Sequence, residues 1–449
     1  MIVMKFGGTS VESASAIERV AGIVKDRLMR RPVVVVSAMG KTTNKLLAIA
    51  AAAVAGDRAA ALTQLEDLHL YHHREGVGLG VETEIETHFQ ELAELVKGLA
   101  VMGEMTARSS DAVSAFGERL SSIIVTAKFN QFGMESQHVD ARSLIVTDHR
   151  HTQAAPLFAE TYQRLAEKIP ALAATRVVVM GGFIGSTMEG VTSTLGRGGS
   201  DYTASIVGAG IGAEEIQIWT DVDGMLTADP TVLAGGYRVK RCSFAEAAEL
   251  AYFGAKVLHP ATVLPAIEKN IPVRILNSRR PQVEGTLITA EAPPSTTPIR
   301  SIACKKNITL VNIVSTRMLM AHGFLRRIFE IFDRYETPVD MLATSEVSVS
   351  LTIDHTGALA EIRREIEEFA EVAVEDNQAI VCMVGDNIRT VPGVAARAFT
   401  ALKEIKVRMI SEGASQLNIS LVVAAADLTH AVESLHREFF SNPDPAAFE

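Results

Sequence analysis

The sequence predicts an α/β chain: a three-layer domain over residues 1–290, followed by a C-terminal pair of smaller α+β modules. Three observations predict it. Strand-length apolar runs alternate with helical apolar spacing through most of the 449 residues. A stretch rich in proline and hydroxyl residues at 291–298 then breaks the alternation. Beyond it, a βαββαβ-like pattern occurs twice in succession.

The first predicted strand, 2–6, is apolar apart from Lys5 and stops at Gly7 and Gly8. Val11, Ile17, Val20, Ala21, Val24 and Leu28 follow at helical spacing, and four valines at 33–36 complete a βαβ unit. Ala-, Leu- and Glu-rich helical sequence fills most of 46–131. Strands at 135–139 and 177–180 enclose a helix near 156–169, and a strand at 215–220 leads into a turn-rich segment through Pro230. Helices around 245–253 and 260–270 and a strand at 273–276 close the domain. The first module reads as strand 309–314, helix 324–335 opened by Gly323, strands 339–343 and 347–353, and helix 359–369. Its copy reads as strand 380–384, helix 394–405 opened by Gly393, strands 407–412 and 418–424, and helix 428–439. The expected organisation is therefore 1–290, a linker at 291–299, and modules at 300–378 and 379–449.

Composition excludes several functions. A net charge of −10 with no Lys/Arg run longer than a pair argues against nucleic-acid binding. The longest apolar run, 46–55, is half of the roughly 20 residues a membrane helix needs, so no membrane association is expected. Cys242, Cys304 and Cys382 lie far apart, without disulfide or zinc spacing, and fit a reducing cytoplasm. No signal peptide is expected at the N-terminus. His69, His72 and His73 lack acidic or cysteine partners at ligand spacing and read as a helix face, so no metal site is predicted.

The chemistry concentrates at predicted strand ends. In Thr192-Ser193-Thr194-Leu195-Gly196-Arg197-Gly198-Gly199-Ser200-Asp201-Tyr202-Thr203, three glycines and an arginine precede a helix over 202–212, for which Ser200 or Asp201 would be the N-cap. Bare backbone N–H groups, a planar cation and a helix N-terminus make an anion cradle; a surface turn is the plainer alternative. Lys5 with Gly7 and Gly8 closes the first strand in a similar way, and ligands of open α/β sheets gather at such carboxyl ends. Gly40-Lys41-Thr42 imitates a P-loop, but the first glycine of that motif would fall on Val35 inside a strand, which leaves a substrate loop with Ser37 and Thr43. Glu118, in the helical region, is suited to a substrate ammonium or is a surface charge. Gly182-Phe183-Ile184-Gly185 follows a strand, as does Trp219-Thr220-Asp221-Val222, with Asp229 close behind. Phe253-Gly254-Ala255-Lys256-Val257-Leu258-His259-Pro260 supplies a second lysine in apolar surroundings.

In this order the motifs resemble the aspartokinases, an amino-acid kinase domain followed by two ACT domains, over nearly the whole chain. The resemblance implies transfer of the γ-phosphoryl group of MgATP to the β-carboxylate of L-aspartate, giving 4-phospho-L-aspartate. A carboxylate of pKa about 4 is already ionised at neutral pH, so no base is required; the work is positioning and charge neutralisation. By the same resemblance Lys5 and Lys256 contact the phosphates, Asp201 orients Lys5, Arg197 holds the α-carboxylate and Glu118 the α-amino group. Ser37, Thr43, Phe183, Gly198, Gly199 and Ser200 match substrate-side positions. Gly7, Gly8, Thr220, Asp221, Leu226 and Asp229 match nucleotide-side positions, with Leu226 and Thr231 standing where relatives often carry an aromatic residue and an arginine.

The ACT pair implies a homodimer or higher oligomer, inhibited by lysine or threonine bound between ACT domains of two subunits. Met318, Gly323, Phe324, Leu325, Val339, Asp340, Thr344, Ser345 and Glu346 match the lysine-sensitive pattern, from which Ala321 and Pro338 depart. The strand near 300–305 is implied to pair with the second ACT domain, making the first an insertion. With the chain ending at Glu449, no fused homoserine dehydrogenase is expected. A kinase of this fold with another acid or a nucleotide as substrate, and a non-catalytic amino-acid sensor, are the alternatives.

Overall fold

Strands β1 (Ile2–Phe6) and β2 (Pro32–Val36) are buried along their whole length, as strands of a parallel sheet covered on both faces must be. The computed structural model describes residues 1–254, 260–315, 322–386, 388, 391–413 and 415–449. They fall into two units, Met1–Met225 with Val257–Ala290, and Leu226–Lys256 with Glu291–Glu449. Helix α1 (Ala14–Lys25) is started by Ser13, whose hydroxyl accepts from the Ala16 amide, and it buries Ile17, Val20, Ala21 and Val24 on one face. The helical stretch resolves into α2 (Thr42–Val54), α3 (Arg58–Gly76), α4 (Glu82–Met102), α5 (Ala107–Ser114) and α6 (Phe116–Gln131). There follow β3 (Ser136–His138), α7 (Phe158–Ala173), β4 (Val177–Gly181), the two-stranded β5 (Ile184–Ser186) and β6 (Thr192–Thr194), α8 (Gly199–Ile211) and β7 (Glu215–Thr220).

The chain then enters the second unit with β8 (Arg241–Ser243) and α9 (Phe244–Tyr252), and returns to the first with α10 (Leu264–Glu268), β9 (Val273–Asn277) and β10 (Thr286–Thr289). Within the first unit the strand order is β3-β4-β2-β1-β7-β9-β10. Pairing is parallel except between β9 and β10. The carboxyl ends of β1, β2 and β4 therefore lie side by side, which brings Lys5, Ser37 and Gly182 together although they are far apart in sequence. Apolar residues from β1, β2 and α1 to α6 form one continuous core beneath them.

In the second unit one antiparallel sheet runs β12-β13-β11-β14-β16-β15, with β11 (Ser301–Val314), β12 (Met341–Thr344), β13 (Ser348–Ile353), β14 (Glu371–Val384), β15 (Met409–Glu412) and β16 (Asn418–Ala424). Helices α11 (Phe324–Arg334) and α12 (Leu359–Glu367) bury Ile328, Ile331, Phe332, Ile362 and Ile366 against the first half; α13 (Val394–Ala401) and α14 (Leu428–Phe440) belong to the second. Ser301–Lys305 of β11 pair with Ile380–Val384 of β14, while Ile308–Val314 pair with β13 and with residues 371–378 of β14. The first module thus stands within the second.

Two features of the structure cut across the expected boundaries. The cut between 378 and 379 falls inside the continuous strand β14, whose first half is partly exposed, with acidic residues mixed among valines, so no apolar run announces it. Residues 226–256, expected within 1–290, group by their contacts with 291–449. Ala228 bridges Ile302, Arg238 and Glu449 exchange backbone hydrogen bonds at 2.7 and 3.0 Å, and the buried pair Arg300–Glu246 closes at 3.1 Å. Among the described residues no helix is long and apolar enough to cross a membrane.

Candidate active site

Lys5 occupies the last turn of pleat in β1, opposite Val35 of β2 and Ile218 of β7. Its ammonium lies 2.7 Å from Oδ1 of Asp201, a charge contact rather than an aligned hydrogen bond. The loops after β1 and β2 are locked together: the Gly40 amide donates to Gly8 O at 3.0 Å, and the Ser37 amide donates to Phe6 O at 3.1 Å. A Cβ on Gly8 would stand 2.7 Å from Gly40 O and 2.8 Å from Ala38 O, so only glycine permits this approach. Above these loops opens a cavity of about 340 Å³ whose wall includes Lys5, Gly8, Ser37, Thr43, Glu118, Phe183, Arg197, Gly198, Gly199, Ser200 and Asp201. Every residue expected on the aspartate side lines it. Gly196 of the glycine-rich turn and Gly40 of the loop after β2 line it too, as does Ala38, which had no assigned role.

Glu118, on the first turn of α6, is 3% exposed. Burial pushes its carboxyl up to about 8, against the lowering influence of the Ala38 amide, which donates to Oε1 at 3.1 Å, and of Lys5. Oε2 has no hydrogen-bond partner. A buried carboxylate oxygen left unpaired at a cavity wall is suited to a cationic ligand. Arg197 is the complement: exposed, lining the same cavity, with no ion pair among the described residues. The cavity thus offers one cation without an ion pair and one carboxyl group with an unpartnered oxygen, which can ionise to meet a ligand ammonium.

Helix α8 begins earlier than expected. Its N-cap is Gly198, at φ 71°, and Ser200 and Asp201 lie in its first turn. The reason is the left-handed Gly198, which turns the chain into the helix without a side-chain cap. Asp201 near the positive end of the helix is placed to balance Lys5. Phe183 also adopts a left-handed φ of 63° after β4, and its amide donates to Thr203 Oγ1 at 2.9 Å.

The nucleotide-side residues divide. Gly7, whose amide donates to Trp219 O at 3.1 Å, and Thr220 and Asp221 at the end of β7 belong to the first unit. Leu226 and Asp229 belong to the second: Leu226 O accepts from Ser301 Oγ, and Asp229 accepts from the amide and hydroxyl of Thr231 at 2.8 and 2.7 Å, an Asx turn. Lys256 lies outside the described residues, as does Met318 among the expected effector positions.

On the first module, Gly323 caps α11 at φ 81°, Phe324 meets the Phe369 ring edge-on at 5.6 Å, and Leu325 is exposed. Val339 packs on the module core, Thr344 ends β12, Ser345 shares a hydroxyl contact of 2.7 Å with Ser348, and Glu346 is exposed. Asp340 is not free. The ammonium of Lys305 sits 2.6 Å from its Oδ1 and 2.7 Å from Oδ2 of Asp354. Burial works to lower Lys305, but the two carboxylates outweigh it and hold the ammonium above its usual range. Burial raises Asp340, since one lysine serves two carboxylates. The sequence reading missed Lys305 and Asp354; only strand pairing brings them to Asp340.

A larger cavity of about 860 Å³, walled by α6, β3 and His88 of α4, holds none of the expected site residues. Of the histidines read as a helix face, His72 is fully buried, and burial pushes its imidazole down to about 4.

Comparison with known proteins matches residues 1–277 to the amino acid kinase family and residues 381–439 to the ACT domain. The chain is 40% identical to the chloroplastic aspartokinase 3 of Arabidopsis thaliana, covering 98% of this chain and 81% of that one. It is 35% identical to the lysine-sensitive aspartokinase 3 of Escherichia coli, over 98% and 99%. Its structure resembles E. coli aspartokinase III in complex with aspartate and ADP, with a TM-score of 0.84 at 34% identity over 98% of this chain and all of that one. The same protein in complex with lysine and aspartate also matches at 0.84, with 34% identity over 98% of this chain and 99% of that one.

Proposed function

The chain belongs to the aspartokinase family, and from that membership we propose how its cavity performs the reaction. The enzyme transfers the γ-phosphoryl group of ATP to the β-carboxylate of L-aspartate. Arg197 pairs the α-carboxylate and Glu118 the α-ammonium, so the substrate is fixed at both charges and its β-carboxylate is directed toward Lys5. The nucleophile arrives ionised, and no proton has to be moved from it. Lys5, steadied by Asp201, and the backbone N–H groups at the start of α8 neutralise charge on the transferring phosphoryl group, with Lys256 assigned a similar part by family resemblance. ATP enters as its magnesium complex. Lysine is the favoured effector, its ammonium groups meeting Asp340 and Glu346, in an ACT-mediated homodimer. Three buried cysteines, none in a disulfide, fit a cytoplasmic enzyme.

The observation that carries this reading is the unpaired Oε2 of Glu118 facing the same cavity as Arg197. Protein supplied with ATP, Mg²⁺, aspartate and hydroxylamine is expected to form aspartyl hydroxamate, and Lys5→Ala or Arg197→Ala to lower the rate at least about 100-fold. Absence of an aspartate-dependent product overturns the reading. Titration of the same assay with lysine, threonine and both identifies the effector.

A further inference from the structure

We propose that Asp111 is a positioning residue for aspartate binding, acting on Arg197 through the turn that carries it. Asp111 lies on α5 and is 1% exposed. Its carboxylate gathers three donors from two other segments: Oδ1 accepts from Thr194 Oγ1 at 2.5 Å, Oδ2 from His151 Nδ1 at 2.7 Å, and both from the Thr152 amide at 3.0 Å. No lysine or arginine pairs with it among the described residues. Burying a carboxylate without a strong cation costs stability, so what it organises is of interest.

It organises the base of the Gly196–Gly198 turn. Thr194 ends β6, and Arg197 follows three residues later. Thr152 is held at φ 71°, a left-handed conformation that a β-branched residue adopts only when its surroundings impose it. In that conformation its carbonyl underlies Gly196: a Cβ there would come within 3.1 Å of Thr152 O and 3.3 Å of the Gln153 side chain. The Ala154 amide donates to Thr194 O at 2.9 Å, tying the two segments again, and the Gly199 amide donates to Gly196 O at 3.0 Å to close the turn. Arg197 has no side-chain ion pair among the described residues to aim it. Its direction is inherited from this backbone, and Asp111 fixes both segments beneath it.

The inference rests on the reading of Arg197 as the aspartate carboxylate partner. The experiment is steady-state hydroxamate kinetics of Asp111→Asn, Thr194→Val and Thr194→Ser beside Arg197→Ala, with the Michaelis constants for aspartate and ATP measured separately. Asp111→Asn and Thr194→Val are expected to raise the aspartate KM about tenfold to a hundredfold, as displacement by about an ångström does, with the ATP KM within about twofold. Thr194→Ser, which keeps the hydroxyl, is expected to restore the wild-type value. Unchanged aspartate KM in Asp111→Asn and Thr194→Val, or loss spread equally over both substrates, overturns the proposal while Arg197→Ala still shows the defect. If Arg197→Ala itself leaves the aspartate KM unchanged, the underlying reading falls and the positioning role with it. Should Asp111→Asn fail to fold, the valine and serine variants at Thr194 decide alone.

Discussion

In the aspartate cavity, Arg197 has no ion pair among the described residues and Glu118 Oε2 has no partner, whereas on the first ACT domain the Asp340 carboxylate is already held by Lys305. The first site stores its electrostatics unspent, as a raised carboxyl and a bare guanidinium waiting for ligand charge. The second has committed one oxygen of Asp340 to Lys305 within the chain, while Asp340 Oδ2 stays without a hydrogen-bond partner. On the proposed reading, a ligand entering the first gains new charge pairs, whereas an effector ammonium at the second shares Asp340 with Lys305, and that competition weakens its binding. The contrast suits a substrate bound at every turnover and an effector that acts only above a threshold.

The largest expected effect concerns what the unpaired Glu118 costs the empty enzyme. Its carboxyl lies at about 8 in the folded chain against an ordinary 4.5. Because the folded value is raised, its contribution to stability is complete below about pH 4.5 and is lost as pH rises through 8. Glu118→Gln removes that loss. The variant is expected to match the wild type in urea unfolding near pH 4.5 and to exceed it by up to about 4 kcal/mol above pH 8. A variant less stable at both pH values breaks the comparison.

Next is the effector carboxylate. Asp340→Asn removes a charge-assisted bond, and the lysine concentration giving half inhibition is expected to rise roughly tenfold to a hundredfold, while uninhibited activity stays within about twofold. Inhibition unchanged from the wild type removes Asp340 from the effector site. Smallest is Lys305→Gln. With the internal competitor gone, half inhibition is expected at about fivefold to tenfold lower lysine. A threshold that stays or rises shows that Lys305 and the effector do not share Asp340.

The aspartate cavity was legible in the sequence because a parallel sheet delivers its strand ends to one place. The sequence placed Lys5, Ser37 and Phe183 at strand ends and marked the glycine-rich turn; the neighbouring of β4 with β2 and β1 is what makes them converge. Asp111 carried no such mark: it is one acidic residue on a short helix, and its partners His151, Thr152 and Thr194 come from loops whose folding no periodicity announces. Lys305 was hidden for a related reason, since antiparallel pairing of β11 sets its contact with Asp340, and β11 belongs to both ACT domains at once. The placement of residues 226–256 with the second unit rests on pairings such as Arg238 with Glu449, across most of the remaining chain, which local patterning does not encode.

On the proposed reading, Glu118 waits protonated for the aspartate ammonium. Calorimetric titration of the enzyme with aspartate at pH 7, in buffers of differing ionisation enthalpy, counts the protons that binding releases. Release of nearly one proton is expected, falling toward zero as pH rises above 8, together with loss of detectable binding in Glu118→Gln. Binding without proton release at pH 7, or undiminished binding in the glutamine variant, contradicts it.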